Sequence, residues 1–220
     1  MLGKAKMRPE FRPLAEWIDK TYSVKTINII YDIVDNKTPR IQICFEYEEE
    51  KNKFLNLAIG YYNKQKQQEI AEKFTAVIKQ QGLSISNSSL SNTSEGDKND
   101  LYVTDNVFVI FGAFEPVAKL DAIDNITQKQ QEEFIKSFNN KDIWTISISF
   151  GIAIVFLFTD EQVKEYDKPE IKSIWADKYY AFVKPFDAFN YFKRSDIQVY
   201  IDSKENFDTN YQSNWYNYYK

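Results

Sequence analysis

Ile27, Ile29, Tyr31 and Ile33 alternate with Asn28, Ile30, Asp32 and Val34, and after Asn36-Lys37-Thr38-Pro39 the residues Ile41, Ile43, Phe45 and Tyr47 alternate with Gln42, Cys44, Glu46 and Glu48. A period of two with a turn between predicts two antiparallel strands, one face on a core and the other nearer water. Leu55, Leu57, Ile59 and Tyr61 extend the pattern to a third strand, making a meander. Helical spacing flanks it. Pro9 and Pro13 precede Leu14, Trp17 and Ile18, which share a face of a helix near residues 10–21. From Asn63 to Gln81 a stripe of Ile70, Phe74, Val77 and Ile78 opposes Lys, Gln and Glu, and Gly82 suits the stop.

Residues 84–100 are rich in serine and asparagine and nearly free of large apolar side chains, so they read as a flexible loop between a first portion, 1–83, and a second, 101–220. The two portions are expected to share one compact unit. Leu101 to Phe111 has strand character broken by Asp105-Asn106, a candidate hairpin turn. Pro116 can open a short helix with Val117, Leu120 and Ile123, and Thr127 with Gln130 has the spacing of a capping box for a helix that buries Phe134, Ile135 and Phe138. Trp144 to Ile154 alternates bulky residues with Thr145, Ser147, Ser149, Gly151 and Ala153, which predicts one long central strand. A helix from Pro169 carries Ile171, Ile174, Trp175, Lys178 and Phe182, with Pro185 dividing it from Phe186; Ile197, Val199 and Ile201 form a last strand. No internal repeat of fixed period is visible. Strands and helices in this order predict an α+β fold, with antiparallel meander sheets and helices on one face.

Composition narrows the chemistry. The chain has no histidine, which removes Ser-His-Asp and Cys-His catalysis and histidine-based zinc sites. The single cysteine, Cys44, forms no internal disulfide, so a reducing compartment is expected. The N-terminus has no apolar segment behind its basic residues, and the most apolar stretch, Ile146 to Phe158, is shorter than the ~20 residues a membrane helix needs. A cytoplasmic protein without a membrane partner is the expectation. Lys and Arg total 28 against 32 Asp and Glu, for a net charge of −4, and only four are arginines, which argues against a nucleic-acid surface. The six glycines form neither a dinucleotide fingerprint nor a phosphate loop, so no cofactor is expected.

Carboxylates are the remaining acid/base or metal-binding groups. Asp32 followed by Glu49-Glu50-Lys51 resembles the Asp…Glu-x-Lys pattern of restriction-type nucleases, in which the acids hold Mg²⁺ and the lysine assists the attacking water. On that resemblance Asp32, Glu49 and Lys51 would be catalytic. Strand alternation opposes it, since it turns Glu49 and Lys51 away from the face of Asp32. The simpler reading is a solvated strand end, with no metal bound.

The chain also holds 17 Phe, 15 Tyr and 4 Trp. In the tail, Asp202, Glu205 and Asp208 stand among Phe207, Tyr211, Trp215, Tyr216, Tyr218 and Tyr219, a mixture suited to an aromatic anchor with an acidic rim. Phe207, Tyr211 and Trp215 at spacing four also fit a buried stripe on one helix, leaving Tyr216 and Tyr218 outward. The closing segment, Asp202-Ser203-Lys204-Glu205-Asn206-Phe207-Asp208 through Asn214-Trp215-Tyr216-Asn217-Tyr218-Tyr219, resembles the ends of bacterial immunity proteins that neutralise toxins. That resemblance names no functional residue and implies a non-enzymatic protein that neutralises a toxin; the acidic and aromatic mixture of the tail itself points to Asp202, Glu205, Asp208, Trp215, Tyr216 and Tyr218 as the residues that would meet a basic toxin domain. A metal-dependent nuclease is the alternative, and a scaffold domain without a small ligand is a third reading.

Overall fold

Proline opens the first helix and a left-handed serine closes it. Pro9–Phe11 is a 3-10 turn leading into α1 (Arg12–Tyr22), where Pro13 sits in the first turn and loses no helical bond. Ser23, at φ +54°, donates its N–H to the carbonyl of Asp19. The structure is a computed structural model and describes residues 6–35, 37–56, 60–86, 101–149 and 151–220. Its helices and strands form an α+β protein. The chain divides into two units, Met1–Glu115 and Pro116–Lys220.

In the first unit β1 (Thr26–Val34) and β2 (Thr38–Phe45) form the expected antiparallel pair. The chain then makes α2 (Glu48–Asn52), β3 (Leu55–Asn56), β4 (Tyr61–Tyr62), α3 (Lys64–Gln80), β5 (Ser84–Ile85), β6 (Tyr102–Val103) and β7 (Phe108–Ala113). The third strand beside the hairpin is β7, parallel to β2, so the sheet runs β1-β2-β7. The segment expected as the third meander strand contributes only the short ladder of β3 with β4; its Leu57 and Ile59 lie outside the described residues. Asp105-Asn106 does not make a hairpin: β6 pairs with β5, and β7 with β2. Ile29, Ile41, Ile43, Phe45, Val109 and Phe111 form the sheet side of a core closed by Leu14 and Ile18 of α1 and Ile70, Phe74 and Ile78 of α3. Phe54, fully buried, stacks on Phe45 and Phe111 with centroids 5.0 and 4.4 Å away.

α4 (Phe114–Asp124) carries the chain into the second unit, which continues with α5 (Gln128–Ser137), β8 (Ile143–Ile148), β9 (Ile152–Leu157), α6 (Asp160–Tyr166), α7 (Pro169–Val183), β10 (Gln198–Ser203), α8 (Lys204–Tyr211) and α9 (Trp215–Tyr218). The long strand predicted over Trp144 to Ile154 is two strands, β8 and β9, folded antiparallel, with Gly151 at φ +79° where they turn. Period-two alternation runs unbroken through that turn, so the pattern hid it. β10 pairs parallel to β9, giving the order β10-β9-β8. Ile146, Ala153, Val155, Leu157, Ile197 and Val199 face Phe134 of α5 and Trp175, Tyr179 and Val183 of α7 across the core.

The division falls at Glu115, not at the serine-rich stretch. Residues 101–115 belong with the first unit because β7 completes its sheet. Of the expected loop, Ser84–Ile85 pairs with Tyr102–Val103, and residues 87–100 lie outside the described residues.

The two units repeat one design. Each has a helix, an antiparallel hairpin, helices, and a third strand parallel to the hairpin's second strand, followed by a helix. The correspondence extends to register. β1 meets β2 at Thr26↔Phe45 with an irregularity before Asn28, and β8 meets β9 at Ile143↔Leu157 with an irregularity before Thr145. The third strand ends with Ala113 opposite Phe45 in one unit and Ser203 opposite Leu157 in the other. Glu115 then donates its N–H to the carbonyl of Glu46 (2.9 Å), as Glu205 does to Phe158 (3.3 Å). The carboxylate of Glu115 accepts the N–H of Glu48 at the start of α2 (3.4 Å), as that of Glu205 accepts the N–H of Asp160 at the start of α6 (3.1 Å). A carboxylate at a helix start satisfies a donor that the helix itself cannot.

Candidate functional site

The two candidate sites read from the sequence fare differently. Asp32 takes a two-pronged interaction from Arg40 across the hairpin, at 2.9 and 2.5 Å. Glu49 and Lys51 lie on α2, because the chain leaves the strand after Phe45 and starts a helix at Glu48. That helix follows the end of β2 paired with Thr26, six residues along β1 from Asp32. At about 3.3 Å per strand residue this separates them by about 20 Å. Lys51 pairs with Glu48 (2.9 Å), and Glu50 accepts the N–H groups of Lys25 (2.7 Å) and Tyr47 (3.2 Å). Asp32, Glu49 and Lys51 therefore form no common site. Among the described residues no three cysteine or acidic side chains come together in a group that could hold a metal ion.

The tail is assembled. Ser203 ends β10 and caps α8 by accepting the N–H of Asn206 (2.7 Å), while its hydroxyl donates to Asp160. α8 stops at Gln212, φ +56°, so Phe207, Tyr211 and Trp215 are not one continuous stripe; the chain turns and Asn214 caps the separate α9. Phe207 is buried, and Trp215 packs 4.2 Å from it, 5.2 Å from Phe156 and in parallel with Trp144 at 6.0 Å. Lys204 places its ammonium 5.3 Å from the centre of the Trp144 ring. Tyr218 turns inward and donates its hydroxyl to Asp202 (2.6 Å); burial first, and that carboxylate second, raise its pKa far above the ordinary tyrosine value.

The three tail acids are committed within the unit. Asp202 also accepts from the Ser203 N–H (2.7 Å) and, at both carboxylate oxygens, from the side-chain NH2 of Asn206 (2.9 and 3.1 Å). Glu205 secures α6, as described above. Asp208 takes the Lys204 ammonium and the Ser213 hydroxyl, and in that order they hold its carboxyl below the usual range. The acids therefore brace the aromatic cluster as well as framing it.

What remains outward is aromatic. Tyr216 is 70% exposed, Tyr219 56% and Trp215 40%. Tyr219 stacks on Trp215 at 6.0 Å and donates its hydroxyl to Ser147 on β8 (2.5 Å), which pins the rim to the sheet. Tyr219, Trp144 and Ser147 are not among the partner-binding residues expected from the sequence. Tyr219 carried a signal, its place in the aromatic run, whereas Trp144 and Ser147 join only through tertiary contact. Beside this rim lies a cleft of about 500 Å³, bordered by Thr145–Ile148 of β8, by Ile123, Asp124, Ile126 and Gln131, and by Trp215 and Tyr219.

A larger groove of about 760 Å³ lies in the first unit between α3 and β7. Two side chains tie its walls together: Gln67 donates to the Val109 carbonyl (2.5 Å) and Thr75 to that of Thr104 (3.1 Å). Among the described residues no helix is long and apolar enough to cross a membrane. No family model, no curated protein sequence and no solved structure matches the chain.

Proposed function

We propose that this chain is a non-enzymatic protein-binding module that engages its partner through the aromatic rim of the second unit, and that its biological role is to neutralise a toxin by covering a basic surface of it. The observation that carries the reading is the exposure of Tyr216, Tyr219 and Trp215 on and beside a four-residue helix whose other ring, Tyr218, is anchored to Asp202. Large aromatic side chains with few torsions lose little entropy when they become ordered in a complex, and Trp and Tyr dominate the energetics of protein interfaces. Asp202 and Glu205 pair with neutral groups, unlike Asp208, whose charge Lys204 offsets, and the chain as a whole carries −4. This charge speeds encounter with a basic partner, while buried rings slow release. The test is titration calorimetry of the purified chain against the product of the neighbouring gene. The expected result is a one-to-one complex that Tyr216→Ala weakens by about tenfold or more, the range of an interface hot spot. Binding unchanged by both Tyr216→Ala and Trp215→Ala would remove the rim as the site.

A further inference from the structure

The repeated design of the two units makes one difference between them informative, namely how each treats the free edge of its sheet. In an antiparallel pair successive residues turn their backbone groups alternately toward the neighbouring strand and away from it. Ser149 donates its N–H to Ile152 (2.8 Å), so Ser149, Ser147 and Thr145 face β9, and Ile146 and Ile148 turn their N–H and C=O groups out. Among the described residues β8 is the last strand on its side of the sheet.

The first unit closes one of its corresponding groups. Its counterpart of β8 is β1, where the N–H of Ile29 donates to the side chain of Asn28 (2.9 Å). Thr145 stands at the position of Asn28 and caps nothing on Ile146. On the first unit's other edge, the outward carbonyls of Val109 and Phe111 are taken by Gln67 (2.5 Å) and Tyr62 (2.8 Å). Among the described residues no side chain meets the outward groups of Ile146 or Ile148. Nor does β8, Ile-Trp-Thr-Ile-Ser-Ile, carry the charge or proline that ordinarily guards an edge.

From this we infer that β8 receives an extended segment of the protein partner as a fourth strand, giving the order β10-β9-β8-partner. The inference rests on the aromatic rim being the binding surface, with which the edge is continuous: Trp215 and Tyr219 border the same cleft of about 500 Å³ as Thr145–Ile148. Strand addition supplies affinity through backbone bonds and selectivity through alternate side chains. Ile123 and Ile126 on one side and Trp215 and Tyr219 on the other offer apolar contact to those side chains. A helix presents no free backbone groups to such an edge. Among the described residues bordering the cleft, the one charged side chain, Asp124, suits a neutral or basic segment.

The probe is a random 12-residue peptide library displayed on phage and selected against the immobilised full chain, followed by synthesis of the enriched peptides. The expected sequences alternate apolar and polar residues without internal proline. Methylating their backbone nitrogens one at a time is expected to weaken binding about tenfold at every second position and little between, the alternation that strand pairing imposes. Ile148→Pro removes an outward N–H and leaves the β8–β9 ladder its bonds, so it too is expected to cost about tenfold. The methylation series decides the matter even if that variant folds poorly. Peptides that lose affinity with Tyr216→Ala but respond evenly to methylation would overturn strand addition and leave the rim standing. Enriched peptides insensitive to Tyr216→Ala, Trp215→Ala and methylation alike would overturn both.

Discussion

Trp215 and Tyr216 are neighbours on α9 with opposite duties, and truncating each separates stability from binding. Trp215 is 40% exposed, and its ring packs on Phe207, Phe156, Trp144 and Tyr219 at centroid distances of 4.2, 5.2, 6.0 and 6.0 Å. Removing a fully buried Trp or Phe costs about 3–5 kcal/mol. Scaled by the buried fraction, Trp215→Ala is expected to cost about 2–3 kcal/mol, an upper value because a helix of four residues relieves part of the loss by fraying. Tyr216, 70% exposed and in contact with the Lys220 ammonium at 4.9 Å, is expected to cost less than about 0.5 kcal/mol. Urea unfolding followed by circular dichroism measures the first quantity, and amide exchange of residues 215–219 measures the fraying. Both variants are expected to weaken partner binding, but only Trp215→Ala should shift the urea midpoint. Equal destabilisation by the two, or none by Trp215→Ala, would refute the assignment of one ring to the cluster and the other to the rim.

Glu115→Ala and Glu205→Ala each leave a helix-start N–H without its carboxylate and are expected to cost about 1 kcal/mol apiece, as a matched pair in urea unfolding. Ser203→Ala removes a fully buried hydroxyl that caps α8 and bonds Asp160; about 2 kcal/mol is expected, with a double-mutant cycle against Asp160→Ala isolating the shared part. Burial pushes the Cys44 thiol up to about 11, so a thiol reagent at neutral pH should label it only as fast as the chain unfolds. Tyr102 is pushed up to about 12, by burial first and by its hydrogen bond to Glu10 second. A folded-state pKa above the unfolded value of about 10 favours the folded state below pH 10, and that contribution is lost as pH rises toward 12. Alkaline titration is therefore expected to show tyrosinate formation and unfolding together above pH 10.

The local features that depend on near neighbours were legible in the sequence. The helices over Arg12–Tyr22, Lys64–Gln80 and Pro169–Val183 and the Thr127–Gln130 capping box all follow from spacing that one element imposes on itself. The first hairpin was equally plain, because Asn36 to Pro39 interrupts its alternation. The second hairpin was not, since Ser147, Ser149 and Gly151 keep the alternation going through the turn and only the left-handed Gly151 breaks it. Strand partners were beyond reach for a related reason. A segment's hydrophobic pattern says that it has a buried face, while the choice of β7 over Leu55–Tyr61 as neighbour to β2 depends on how α1 and α3 cover the sheet.

The same limit hid the repeated design. The link from second to third strand is long in the first unit and shorter in the second, so corresponding residues fall at no fixed period, and the register and the paired glutamates become visible only in three dimensions. It also governed the sites. Composition fixed the scarcity of conventional catalytic groups and the wealth of aromatic rings. Only the fold decided that Asp32 and Glu49 lie at opposite ends of a hairpin, that the tail acids brace rather than merely surround the rim, and that Tyr219 reaches Ser147. A side chain's chemistry is carried by its own atoms, but its exposure and its neighbours are set by contacts between residues far apart in the chain.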